Sequence, residues 1–164
     1  KNYGYVFKKE KFKLLKNVIP AFKLLKRKNY KIFVISNQSG ISRGYFNKID
    51  VINLHNWFNF YLKKFNLKVE HFYFCSYHPK YSKKSKYGDY MRKPNPGMIK
   101  KAAKEFDIDL KRSYMIGDRW KDIESGRKAK CKTILIKKTY SEVAKCKPDY
   151  IVNDLSEILN IIKL

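Results

Sequence analysis

The 164-residue sequence predicts an α/β fold with a mainly parallel sheet covered by helices on both faces. Three observations support this. Short β-branched runs alternate with amphipathic stretches at the spacing of βαβ units. Hydrophobic residues make up 44% and aromatics 16%, enough for one real core and too many for a disordered chain. No internal repeat or low-complexity linker divides the chain, so a single domain over 1–164 is expected.

The elements follow in order. Residues 18–28 carry Val18, Ile19, Phe22, Leu24 and Leu25 on one helical face, with Pro20 tolerable because it falls in the first turn. Residues 31–36 form a compact β-branched run, a buried strand bounded by turn formers. A helix over 47–65 uses Val51, Leu54, Phe58, Tyr61 and Leu62, which makes Trp57 and His55 packing residues. An aromatic-rich strand over 69–77 follows, then a long polar loop over 79–96. Helices over 98–106 and 120–130 flank a strand over 113–116. Short strands at 133–136 and 150–152 precede a closing helix over 155–162.

Charge and cysteines bound the setting. Against 38 Lys and Arg stand only 14 Asp and Glu, a net charge of +24. Only Arg27, Arg43, Arg92, Arg112, Arg119 and Arg127 are arginine, and the lysines spread through every segment alongside many Asn, Ile, Tyr and Phe. That is the pattern of a solvated lysine coat in a chain of AT-rich codon usage, and generic charge specifies no partner, so nucleic acid is not expected. Cys75, Cys131 and Cys146 are odd in number and far apart, which points away from a disulfide framework and toward a reducing, cytoplasmic setting. No apolar run approaches the roughly 20 residues of a membrane-spanning helix, and the first seven residues carry no secretory signal. A monomer is expected, because no apolar stripe is left over once the core is assigned.

Parallel sheets place their chemistry at the carboxyl ends of the strands. Three turns stand out there. Ser36-Asn37-Gln38-Ser39-Gly40 continues to Arg43-Gly44 with hydroxyls, amides and glycines but no acid, a composition suited to wrapping an anion or to a plain turn. Arg92-Lys93-Pro94-Asn95-Pro96-Gly97-Met98 sets two cations among prolines that restrict the backbone, which suggests positioning rather than solvation. Gly117-Asp118-Arg119-Trp120-Lys121-Asp122 ends a strand with two carboxylates one helical turn apart, a pair suited to Mg²⁺ with substrate phosphate, or in part to capping the helix.

Together these turns resemble the haloacid dehalogenase superfamily of phosphotransferases, in the branch of heptose bisphosphate and histidinol phosphatases. The resemblance runs from about residue 3 to the C-terminus, and the three ordered motifs are jointly specific. It implies a Rossmann-like three-layer sandwich without a large cap domain, Mg²⁺, and an aspartyl-phosphate intermediate. Carried over by position, Ser36 and Lys93 would be catalytic, holding the transferring phosphoryl group and neutralising its charge. Asn37, Gln38 and Ser39 would line the substrate site with Gly4 and Tyr5, and Arg119 is grouped with them. Arg92 would recognise the rest of the substrate. Asp118 would ligate Mg²⁺, and Asp122 would support it from behind.

Two departures follow. The family's nucleophile lies in an Asp-x-Asp-Gly motif on a central strand, yet no Asp precedes Asp50 and Glu10 is the only acid among the first 49 residues. Asp107-Ile108-Asp109 precedes a strand instead of ending one and reads as a solvated turn. The chain, opening on Lys1, is therefore expected to lack its first strand and to be inactive alone. Many relatives also carry a Cys-x-His…Cys-x-Cys zinc site, where this chain keeps Cys75 but has Tyr77, Asp89 and Met91. With only His78 nearby, zinc is not expected. The resemblance thus implies a Mg²⁺-dependent phosphatase of a small phosphorylated sugar, foremost D-glycero-D-manno-heptose 1,7-bisphosphate at its 7-phosphate. Histidinol phosphate, a polynucleotide 3′-phosphate, and a non-catalytic basic binding module are the alternatives.

Overall fold

The computed structural model describes residues 4–137 and 146–162. The strands are β1 (Phe33–Asn37), β2 (His71–Cys75), β3 (Tyr114–Gly117), β4 (Lys132–Ile136) and β5 (Tyr150–Val152). The helices are α1 (Val18–Arg27), α2 (Lys48–Lys63), α3 (Lys86–Met91), α4 (Gly97–Phe106), α5 (Trp120–Lys128) and α6 (Ile158–Ile161). Every strand pairing is parallel, as the alternation requires.

Side-chain alternation along the strands builds three layers. Val34 and Phe72 point to one face and pack with Phe58 and Leu62 of α2 and Phe22 of α1. Phe33, Ile35, Tyr73 and Cys75 point to the other and meet Met98 and Ala102 of α4. The same holds further along. Ile134, Ile136, Tyr114 and Ile116 meet Ala21 and Leu25 of α1 and Ile158 of α6, whereas Met115 lies with Ile99 of α4 and Ala129. Helix α5 sits close on this second face at Gly126, where a Cβ would fall 2.5 Å from Met115 Cβ. Complete burial of Leu62 and Ile134 is worth roughly 1.5–3 kcal/mol each.

The sheet is in two pieces. β1 pairs with β2, and β3–β4–β5 form a separate ladder. Across the break, contact runs through side chains: Tyr30 meets Tyr114 edge-on at 6.1 Å, and Ile35 shares a cluster with Met115.

Several sequence boundaries shift for identifiable reasons. The strand expected over 69–77 contracts to β2, because Asn59 takes both backbone groups of Val69: its Nδ2 donates to Val69 O at 3.0 Å and its Oδ1 accepts from Val69 N at 2.8 Å. The closing helix shortens to α6 because Asp154 binds the Ser156 amide at 2.6 Å and accepts from Asn17 Nδ2 at 3.0 Å, forming a turn first. The polar loop over 79–96 contains α3, capped by Ser85 Oγ accepting from Gly88 N at 2.9 Å. Helix α2 starts on a reciprocal cap between Asn47 and Asp50, at 2.9 and 2.8 Å. Asp107 adopts a left-handed φ of 50° at the end of α4, and Asp109 caps the next turn, as a solvated Asp-x-Asp should. Among the described residues no helix is long and apolar enough to cross a membrane.

Candidate active site

The three turns meet beyond the carboxyl ends of β1 and β3. Asn37, the last residue of β1, clasps the backbone of Lys93: its Nδ2 donates to Lys93 O at 2.9 Å and its Oδ1 accepts from Lys93 N at 3.1 Å. The Lys93 ammonium donates to Ile35 O on β1 at 2.7 Å and to Asp122 Oδ1 on α5 at 2.6 Å. Lys93 therefore spans the break in the sheet. Its side chain is 13% exposed and that of Asp122 9%, so the pair is strong but depends on both partners staying in place.

Asp122 is bonded through both carboxylate oxygens. Its Oδ2 accepts from Arg119 N at 3.1 Å, which caps α5 and ties the turn after β3 to the ion pair. Gly117 makes this possible, because a Cβ there would lie 2.3 Å from Asp122 Cβ. With a bond to each oxygen, Asp122 orients Lys93 and the Arg119 amide. Asp118, half-buried directly after β3, is the other carboxylate of the turn. Among the described residues no group of three or more His, Cys, Asp or Glu is arranged to hold a metal.

The β1 turn is organised by its own side chains. Gln38 Nε2 donates to Ser36 Oγ at 3.0 Å, fixing the hydroxyl at the strand end. Gln38 N bonds Cys75 O at 2.8 Å, so the loop leaves β1 alongside β2. Gly40 is packed under the Phe46 ring, where a Cβ would fall 2.1 Å from a ring carbon. Tyr5, one residue after Gly4 with its left-handed φ of 72°, places its hydroxyl 3.3 Å from Ser39 Oγ.

Arg92 comes to the same mouth on a different support. Its Nη1 donates to Tyr77 O at 2.8 Å, and burial is the main reason its guanidinium sits below the usual arginine range. His78 is pushed below its ordinary value, first by burial and then by Arg92, Arg43, Lys121 and Lys80. Four cations therefore act on the imidazole, a local positive field that favours an anion. Arg43, over the Tyr81 ring at 4.3 Å, together with His78 and Lys121, joins the motif residues here. The sequence placed Arg43 and Lys121 inside two of the three turns and His78 beside the position of a zinc ligand, but gave none of them a part in the site, because spacing does not show that they converge. One surface cleft lies elsewhere, bordered by Phe7, Asp50 and Trp57, and another borders the β1 turn at Ile41, Gly44 and Phe46.

The remaining candidates are structural. His55 stacks on Phe72 at 4.4 Å and is held down to about 4, by burial first and then by His71. Trp57 packs edge-on against Phe12 at 5.5 Å, and Cys131 is buried. Trp120 opens α5, with Lys121 Nζ 5.5 Å from its ring centre.

The fold and this strand-end cluster define a HAD-like hydrolase, and a HAD-hydrolase-like family profile matches residues 90–158. The D-glycero-beta-D-manno-heptose-1,7-bisphosphate 7-phosphatase of Pasteurella multocida is 32% identical, over 99% of this chain and 90% of that protein. The D-glycero-alpha-D-manno-heptose-1,7-bisphosphate 7-phosphatase of Burkholderia mallei is 37% identical over 81% of this chain and 71% of its own. In structure, the D,D-heptose 1,7-bisphosphate phosphatase of B. bronchiseptica, solved with magnesium and phosphate, superposes with a TM-score of 0.82. That match covers 96% of this chain and 88% of the other at 22% identity, a likeness of fold. The chain belongs to the heptose-1,7-bisphosphate 7-phosphatase family of HAD-like phosphatases.

Proposed function

We propose that this protein hydrolyses the 7-phosphate of D-glycero-D-manno-heptose 1,7-bisphosphate, in the making of activated heptose for surface polysaccharide. The observation that carries the reading is the Lys93 clamp, an ammonium fixed by Ile35 O and Asp122 across the ends of β1 and β3. Loose phosphoryl transition states are stabilised mainly by positioning and positive charge, and this cation is pre-positioned. Ser36, oriented by Gln38, donates its hydroxyl to the phosphoryl group. Asn37, Gln38, Ser39, Gly4, Tyr5 and Arg119 line the substrate, and Arg92 recognises the portion away from the reacting phosphate.

Asp118 is the residue that would hold Mg²⁺, with phosphate oxygens and water as further hard ligands; the ion supplies charge neutralisation at the phosphoryl group. The nucleophilic carboxylate lies on a strand upstream of Lys1 whose place is between β1 and β3. The two-piece sheet supports this, since β1–β2 and β3–β4–β5 are separate ladders among the described residues.

The test is Mg²⁺-dependent phosphate release from heptose 1,7-bisphosphate, assayed beside histidinol phosphate, by the chain with and without the residues encoded upstream of Lys1. Release from the heptose ester by the extended chain only is the expected result. Release from histidinol phosphate alone would overturn the substrate, and release by neither form would overturn the activity.

A further inference from the structure

We infer that Tyr77 and Gly88 form a brace that positions Arg92, and that Arg92 can hold the non-reacting part of a substrate only while this brace is closed. The inference rests on the phosphatase reading above and adds two positioning residues to it.

The brace is built from three contacts in the segment between β2 and α4. The root of the Tyr77 ring is packed against Gly88: a Cβ at Gly88 would fall 2.8 Å from Tyr77 Cγ and Cδ2 and 3.1 Å from its Cβ. These atoms are the root of the ring, so the side chain cannot yield by bending its tip. Cys75 Sγ donates to Gly88 O at 3.5 Å, which draws the same residue onto the end of β2. Tyr77 itself packs in the cluster of Tyr73, Cys75 and Met98, so the ring is anchored from below.

Arg92 is tied to this unit at both ends. Its backbone N–H bonds Asp89 O at 3.0 Å, one residue past Gly88, and its guanidinium donates to the carbonyl of Tyr77 at 2.8 Å. Displacing the Tyr77 ring would shift the carbonyl that orients the guanidinium and the α3 end that carries the arginine. Lys93, although adjacent, takes its position from Asn37, Ile35 and Asp122 instead. Damage to the brace should therefore reach Arg92 and spare Lys93.

The experiment is equilibrium binding by the full chain of two probes, fructose 1,6-bisphosphate and inorganic phosphate. Gly88→Ala and Tyr77→Ala are each expected to weaken the sugar bisphosphate roughly tenfold, the scale of one charge-assisted contact, and to leave inorganic phosphate within about twofold. Tyr77→Phe keeps the ring and should match the unaltered chain. In an Arg92→Ala background, Gly88→Ala should weaken the bisphosphate no further. Equal weakening of both probes, no weakening of either, or an additive effect in the double variant would overturn the brace. Should thermal melting show Gly88→Ala unfolded, the Tyr77 pair decides by the same criteria. Failure of the unaltered chain to bind either probe would instead overturn the phosphatase reading and the brace with it.

Discussion

Arg92 and Lys93 are neighbours in sequence and differ in almost everything that holds them. The Lys93 ammonium is nearly buried, ion-paired to Asp122 and bonded to a strand carbonyl, so it is wired into β1 and α5. Arg92 hangs from a short helix and a tyrosine carbonyl in the segment after β2. The first arrangement resists displacement because any movement strands a buried charge. The second is held by packing, which can be loosened one methyl at a time. A phosphatase needs the reacting phosphoryl group fixed tightly and the rest of the substrate matched by shape, and the two supports divide in that way.

The comparison can be broken most forcefully at Asp122. Asp122→Ala should cost about 3–5 kcal/mol of stability, because it leaves the nearly buried Lys93 ammonium with the Ile35 carbonyl but no counter-charge. Urea unfolding should show this as a lower midpoint. Asp122→Ala with Lys93→Met should recover much of the loss, and a double variant no better than the single would mean the pair is not coupled.

A second effect lies on the opposite face of the sheet. His55 in the folded chain is held down to about 4, against 6.5 for the exposed group, by burial on Phe72 and then by His71. The unfolded chain takes up the proton first, so this contribution is complete above pH 6.5 and is lost as pH falls toward 4. The loss is on the order of 2–3 kcal/mol. His55→Phe should flatten that part of the stability curve. Phosphate binding by Lys93 should not follow it, which separates sheet stability from site chemistry.

Smaller still is Asn59→Ala, which leaves the N–H and C=O of Val69 without their partner and should cost about 1–2 kcal/mol by urea unfolding. The least effect is expected from the lysine coat. Affinity for random duplex DNA should be weak at physiological salt and unaltered by Lys93→Met; tight, steeply salt-dependent, Mg²⁺-independent binding would favour a basic binding module.

The sequence announced the parallel fold because β-branched or aromatic strand runs and the apolar faces of the longer helices are local signals, and Ile32–Ser36 and Val51–Leu62 carry them plainly. Ser36, Lys93, Asp118 and Asp122 stood out because glycine, proline and acid, scarce in this lysine-rich chain as a whole, gather in the turns that carry them. Helix α3 was not, since Lys86–Met91 has no apolar period and stands on a serine cap. Nor was the division of labour between Arg92 and Lys93 legible. It depends on which distant atoms, Tyr77 O or Ile35 O, receive each cation, and no spacing encodes that.

The central claim is best tested by steady-state phosphate release from heptose 1,7-bisphosphate by the full-length protein and its Lys93→Met and Arg92→Met variants. Lys93→Met is expected to lower kcat by about two orders of magnitude, the scale of one lost transition-state contact. Arg92→Met is expected to raise KM roughly tenfold with kcat nearly unchanged. Equal loss of kcat in both variants would contradict the account, because the two cations would then serve one task from one support.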